Sequence, residues 1–502
     1  MRRYLRYVSA LLIIAATLIG CDSNRNIKCY FYLSEDGISA PYSESVVTLN
    51  YTIRYGEFNV DLSTISVSAT TDAAWVKSID TSTPGTIAIS VDDNMSDSER
   101  VATIRITAPS TKAEDIRLTQ LGTPPSIVEH TVIHFFFGTS LSYHFKNNIK
   151  DVLTAVREGA LGSSGRYIYF MQSSSTMGHI REIHFSATDN SAVERHIQDV
   201  TIEENMPLDN FIAETLRTMA NLAPANRYGA IMAGHGQGWI TREMLKDEED
   251  AAEFSAMPHT NPWQPAIGAE ATRAFGENNI QVDITELAAG IKNSEIEFDY
   301  LLFDACFMSN IEALYDLRNV ANYIIASPCE IMAMGFPYHR VLKHLFADDG
   351  KRSDVVAAAE AYYVFYRDEY TSKNRSGSVA VIDCNELEAL ADATHSVALT
   401  ATTEYSKRNI QSYEGQSPHS FYDFGGWYRI VATDTAALEA LEAQMERTVV
   451  ARYTLPSFYS ALGTYGIYPI NEEQYTGVTT SAPCKQYAEE WQQTSWYKRA
   501  IE

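Results

Sequence analysis

Five short apolar runs constrain this chain more than any other feature: residues 131–137 (TVIHFFF), 167–171 (YIYFM), 228–232 (YGAIM), 300–303 (YLLF) and 323–326 (YIIA). Each is nearly continuous in apolar character, as a strand must be when both of its faces are covered. Amphipathic stretches such as residues 208–222 lie between them and carry helical periodicity. Strands alternating with helices predict a mostly parallel sheet flanked by helices, an α/β fold. In such a sheet the chemistry gathers at the carboxyl ends of the strands.

Two of those ends are unusual. The third run continues Met232-Ala233-Gly234-His235-Gly236-Gln237-Gly238-Trp239, setting one histidine between glycines where the backbone must turn. The fourth continues Phe303-Asp304-Ala305-Cys306, and the apolar spacing of residues 307–315 is helical. That spacing predicts Cys306 on a strand-to-helix turn, with the amino end of a helix directly behind it to favour the thiolate. A histidine and a cysteine on neighbouring strand tips make a base and a nucleophile. On this reading the backbone N–H groups of Gly236 and Cys306 would form an oxyanion hole. His339, after Gly335-Phe336-Pro337-Tyr338, reads as a loop residue near the cleft.

Before this region the pattern is different. Arg2, Arg3 and Arg6 precede an apolar run from Val8 to Ile19 that stops at Gly20-Cys21, a signal peptide too short for a stable span. Leu18-Ile19-Gly20-Cys21 resembles a bacterial lipobox, which implies acylation at Cys21 and attachment to a membrane of the cell envelope; the plain alternative is an ordinary cleaved signal. Residues 21–44 read as a tether. From 45 to 122 β-branched residues alternate, as in Thr64-Ile65-Ser66-Val67-Ser68, predicting a small immunoglobulin-like β-sandwich. The segment from WVKSI at Trp75 through GTIAISVDDNMSDSERVATIRI to IRLTQLG resembles the BACON module. That resemblance allows either a spacer or a glycan contact, with Trp75 filling the core in the first case and stacking on a sugar in the second. Thr123-Pro124-Pro125 forms a stiff link to the α/β region, residues 128–502.

The His and Cys segments, YGAIMAGHGQGW and FDYLLFDACFMSNIEALYDL, resemble those of the clostripain-like cysteine peptidases, relatives of caspases and gingipains. MPLDNFIAETLRTMANLAPANRYG, TVIHFFFGTSLS and ALGTYGIYPINEEQY extend the likeness over most of residues 128–500. The resemblance implies His235 as general base, Cys306 as nucleophile, a peptide or protein substrate and an acyl-thioester intermediate. It implies an acidic pocket residue at Asp304, which with Glu330 would select Arg or Lys. Met334, in Ser327-Pro328-Cys329-Glu330-Ile331-Met332-Ala333-Met334-Gly335, would instead favour apolar side chains. It further implies self-cleavage in the acidic 241–279 segment, with Arg242, Lys246 and Arg273 as candidate sites; an uncut surface loop is the alternative reading. Calcium is a candidate cofactor by the same resemblance, although no loop has the alternating Asp/Asn spacing of a dedicated calcium site. No cofactor is required by the chemistry.

Composition closes off other classes. With 39 Lys+Arg against 64 Asp+Glu, the net charge of −25 repels nucleic acid. Cysteines at 21, 29, 306, 329, 384 and 484 make no CxxC pair, although Cys29 and Cys484 remain candidates for a disulfide. The contrary reading of the whole chain is a non-catalytic surface binding or adhesion lipoprotein whose peptidase domain is degenerate.

Overall fold

The protein is described by a computed structural model. It covers residues 29–35, 37–56, 58–95, 99–122, 127–162, 164–186, 190–203, 206–245, 282–346 and 353–502. The chain divides into two compact units between residues 125 and 126. Among the described residues no helix is long and apolar enough to cross a membrane.

The first unit is a two-sheet sandwich. One sheet orders Tyr30–Leu33, Ser45–Tyr55, Thr86–Val91 and Val76–Asp80, and the other Gly37–Ala40, Glu114–Gln120, Arg100–Thr107 and Ser68–Thr70. All pairs are antiparallel except Gly37–Ala40 with Glu114–Gln120. Alternation explains the core: Leu49, Ile53, Ile87, Ile89, Ile104 and Leu118 are completely buried, and the residues between them face outward. The expected tether at 21–44 therefore ends earlier, because two strands already lie at Tyr30–Leu33 and Gly37–Ala40 and bury Phe31 and Ile38. Trp75 is half-buried against this core, with the Arg100 guanidinium 4.7 Å from its ring centre.

The second unit is built on a nine-stranded sheet. Its strands are β1 (Val128–Phe136), β2 (Gly165–Gln172), β3 (Met177–Ser186), β4 (Ser191–Thr201), β5 (Ala225–Ala233), β6 (Phe298–Asp304), β7 (Ala321–Ala326), β8 (Val379–Asp383) and β9 (Val449–Tyr453). They run in the order β4-β3-β2-β1-β5-β6-β7-β8-β9. The five central strands are parallel, and the two at each edge are antiparallel. The five apolar runs are these parallel strands, buried on both faces as their composition requires.

Helix α1 (Ser142–Arg157) covers one face, its Phe145 ring packed on Phe136. Helix α2 (Leu208–Leu222) covers the other, with Phe211 on Phe170. Then follow α3 (Ile284–Asn293), α4 (Ile311–Asp316) and α5 (Tyr338–Leu345). His339 is on α5, not in a loop, and its ring faces Asp151 of α1 at 3.2 Å. Cys29 lies in the first unit and Cys484 in the second, and both side chains are buried.

Candidate active site

Strand pairing brings the two expected reactive residues together. In the parallel β5–β6 register Ala233 lies opposite Asp304, and His235 and Cys306 each follow two residues later. The two tips are also in direct backbone contact. Gly234 N–H donates to the Asp304 carbonyl at 3.3 Å. A Cβ placed on Gly236 would lie 2.3 Å from the Cys306 carbonyl oxygen and 2.9 Å from the Cys306 nitrogen, a space that admits only hydrogen. Gly238 has φ +62°, and Phe421 lies against it.

The histidine is held from the first strand. Beyond β1 the chain turns through Gly138 (φ +103°), whose N–H donates to Gln172 Oε1 at 3.0 Å. Two residues on, Ser140 Oγ meets His235 Nε2 at 3.0 Å, while Nδ1 of the ring is buried. Nothing in the residue pattern singles out Ser140; its position just past a strand end on the same edge is the one available signal. A cavity of about 110 Å³ opens beside the ring, lined by Gly138, Ser140, His235, Leu287, Phe303 and Ala305.

Cys306 faces elsewhere. Asp304, opposite in strand parity to Phe303 that lines the cavity, points to the α5 side, and Cys306 follows in the turn beyond the strand end. The thiol is fully buried, and Sγ accepts the Ile331 N–H at 3.1 Å. Helix α4 does not begin directly behind it: Phe307 takes a left-handed φ of +59°, and the helix starts only at Ile311, capped by Asn310. A helix six residues long and five residues away contributes little to the thiolate. The strain at Phe307 is held by its ring, stacked on Phe421 with centres 4.7 Å apart.

The expected specificity residues are not gathered in one open pocket. Asp304 is fully buried, with Oδ1 accepting the Phe336 N–H at 3.2 Å and Oδ2 the Tyr338 hydroxyl at 2.7 Å. Tyr338 continues to His134 and on to Tyr167, a buried polar chain with no local signature in the residue pattern. Glu330 turns away toward residues 460–461, where its carboxylate accepts the Ser460 hydroxyl and, at 3.0 Å, the Ala461 N–H. Like Asp304, Glu330 is fully buried. Met334 is exposed, its carbonyl accepting Asn148 Nδ2 at 2.7 Å. Residues 331–336 thus bond both Cys306 and Asp304, covering the thiol and the carboxylate with one loop.

Of the candidate self-cleavage sites, Lys246 and Arg273 lie outside the described residues, as does Cys21. Arg242 lies in helical residues 242–245, with its N–H on Asp283 at 3.0 Å and its guanidinium on Glu286 at 2.8 Å. That is poor geometry for a scissile residue, which must be extended.

Glu414 is buried behind Phe421. Its carboxyl accepts N–H groups of Tyr413, Ser420 and Phe421, yet burial outweighs these bonds and pushes it up to about 8. The folded chain therefore keeps a proton that the unfolded chain releases near the ordinary glutamate range, so stability falls as pH rises from about 5 to about 8. Urea midpoints are expected to be lower at about pH 8 than at about pH 6, and Glu414→Gln should flatten the difference.

Among the described residues the one group of three metal-capable side chains is His179, His196 and Asp199. Two ring nitrogens and a carboxylate do not form the oxygen cage that calcium takes, so the calcium expectation finds no fit there.

The sequence model of the Clostripain family matches residues 183–494, more than half of the chain. The chain belongs to this family. With clostripain membership comes its activity class, a cysteine-type endopeptidase. A secreted C11 cysteine protease of Bacteroides thetaiotaomicron, "iotapain", is similar at 28% identity, covering 74% of this chain and 99% of that one with a TM-score of 0.64. A structure of a secreted C11 cysteine protease from that organism in complex with an irreversible peptide inhibitor shares the fold at 22% identity, covering 74% and 98% with a TM-score of 0.59. An inactive zymogen C11 protease of Parabacteroides distasonis shares it at 23% identity, covering 75% and 99% with a TM-score of 0.61. No curated protein matches the chain.

Proposed function

We propose that this clostripain-family endopeptidase cuts peptide bonds through Cys306 and His235. The observation that carries the assignment is the β5–β6 register, which sets the two residues at equal distances past paired positions on adjacent parallel strands. His235, held at Nε2 by Ser140, takes the thiol proton on Nδ1. The thiolate adds to the scissile carbonyl, whose oxyanion is received by the Gly236 and Cys306 N–H groups. Collapse breaks the C–N bond, and the imidazolium returns its proton to the departing amine. Water then hydrolyses the acyl-thioester, with His235 again as base. For this cycle the 331–336 loop must release Sγ. The same movement releases Asp304 Oδ1 from the Phe336 N–H, and we assign this carboxylate to the pocket for a substrate Arg or Lys by a charge-assisted bond.

The test is cleavage of a diverse peptide library, read by mass spectrometry, with Cys306→Ala and His235→Ala as controls. Cuts that vanish in both controls are expected, and a preference for Arg or Lys before the cut that weakens in Asp304→Asn would support the pocket. Cuts that persist in both controls would remove the assignment.

Activation by self-cleavage belongs to the same reading, with Lys246 and Arg273 the better sites given the pinning of Arg242. The wild-type chain is then expected to split within residues 246–281 and Cys306→Ala to stay whole; recovering both intact under the same conditions would discard the idea. The leader, with its arginines, apolar run and Cys21, supports a lipid-anchored protein of the cell envelope. Cys21→Ala should move the chain from the membrane to the soluble fraction.

A further inference from the structure

The β3–β4 hairpin carries a cluster unrelated to the peptidase chemistry. Strand β3 places His179 opposite Asp199 of β4, with Nδ1 against Asp199 Oδ1 at 2.5 Å. His196 Nε2 reaches the same oxygen at 3.3 Å. Plain alternation would put residue 196 on the opposite face from 199. The register shifts between Ile180 and Arg181, however, so that His196 rather than Ile197 pairs with Arg181. This extra residue turns the His196 ring to the face that carries His179 and Asp199, an effect for which bulges are used.

The cluster is reachable. Side-chain exposure is 27% for His179, 22% for His196 and 25% for Asp199, which leaves room for an ion to enter and keep a water. One donor atom from each residue lies within 4.8 Å of the others, so a small shift of the carboxylate admits an ion between them. The cation nearby, Arg181, is already offset by Glu194 at 3.5 Å. Two imidazoles and one carboxylate are the donor set of borderline first-row divalent ions, with a fourth position left open.

We propose that His179, His196 and Asp199 form a binding site for a divalent transition-metal ion of the zinc type. The site lies in a transverse row of the sheet that runs Asp199, His179, Met171, Phe136, Ala233, Asp304 from β4 to β6. It therefore shares the carboxyl edge with His235 and Cys306, three to four strands from β5, about 14–19 Å at roughly 4.8 Å per strand. A bound ion would clamp the two edge strands together.

The experiment uses the full, tag-free chain carrying Cys306→Ala, so that the thiol cannot hold the ion. After equilibrium dialysis against Zn²⁺, bound metal is counted by mass spectrometry. One ion per chain is expected, falling at least tenfold in His179→Ala and in His196→Ala. His196→Cys, which supplies a thiolate in place of the imidazole, is expected to retain the ion, separating lost ligation from a damaged hairpin. The thermal midpoint should rise with Zn²⁺ in the parent and not in the alanine variants. No ion retained by the parent, or equal retention in the alanine variants, overturns the proposal.

Discussion

Gly236→Ala should nearly abolish peptide cleavage while leaving a folded chain. The added methyl would lie 2.3 Å from the Cys306 carbonyl oxygen and 2.9 Å from Ala305 Cβ, both in the buried turn directly past β6. Neither neighbour is the free end of a flexible side chain, so the His and Cys tips must separate. Displacing reacting groups by about 1 Å costs on the order of 100-fold in rate. The overpacking itself costs about 1–3 kcal/mol of stability. Gly234→Ala is the matched control: its methyl meets the Phe137 carbonyl at 3.1 Å, a contact that a few tenths of an ångström relieves. Measuring kcat/KM for both variants checks the expectation, and a Gly236→Ala enzyme as active as wild type would show that the tips do not touch as described.

Glu312→Ala should give the largest loss of stability. The carboxylate is fully buried in α4 and accepts four donors: Asn310 Nδ2 at 2.6 Å, Thr480 Oγ1 at 2.8 Å, Ser481 N–H at 3.0 Å and Trp491 Nε1 at 2.7 Å. Burial raises its pKa, and each of the last three bonds opposes that rise. Truncation leaves several buried donors without a partner, at about 3–5 kcal/mol in total. The same carboxylate straps the helix after the Cys306 turn to residues 480–491, so activity should fall with stability. Glu312→Gln keeps the acceptor oxygen and should lose less. Chemical denaturation of the three proteins measures the order, and an alanine variant within about 1 kcal/mol of wild type would contradict it.

The sheet was legible because its central strands are buried on both faces, which leaves a continuous apolar record in residues 131–137, 167–171, 228–232, 300–303 and 323–326. Helix α2 runs from Leu208 to Leu222, the span that its periodicity predicts. Less legible was whatever depends on contacts between distant segments. The helical spacing after Cys306 hid the turn at Phe307, since a left-handed φ in a buried aromatic is held by Phe421, more than a hundred residues away. Glu330 reads as a pocket acid in sequence, and only the fold shows Ser460 and Ala461 holding it. Ser140 and the His134–Tyr338–Asp304 chain had no local signature. The early sandwich strands were missed because Tyr30–Leu33 and Gly37–Ala40 are four residues each, too short for a periodic pattern. His179, His196 and Asp199 are scattered in sequence, and a one-residue bulge gathers them.

The loop at residues 331–336 has a chemical consequence for the thiol it covers. Sulfur is oxidised, or exchanged into mixed disulfides, as exposed thiolate. While Ile331 N–H sits on a fully buried Sγ, neither peroxide nor a passing disulfide has a line of approach to Cys306. Shape alone would therefore keep this sulfur reduced if the chain passes through an oxidising compartment, for as long as residues 331–336 stay in place.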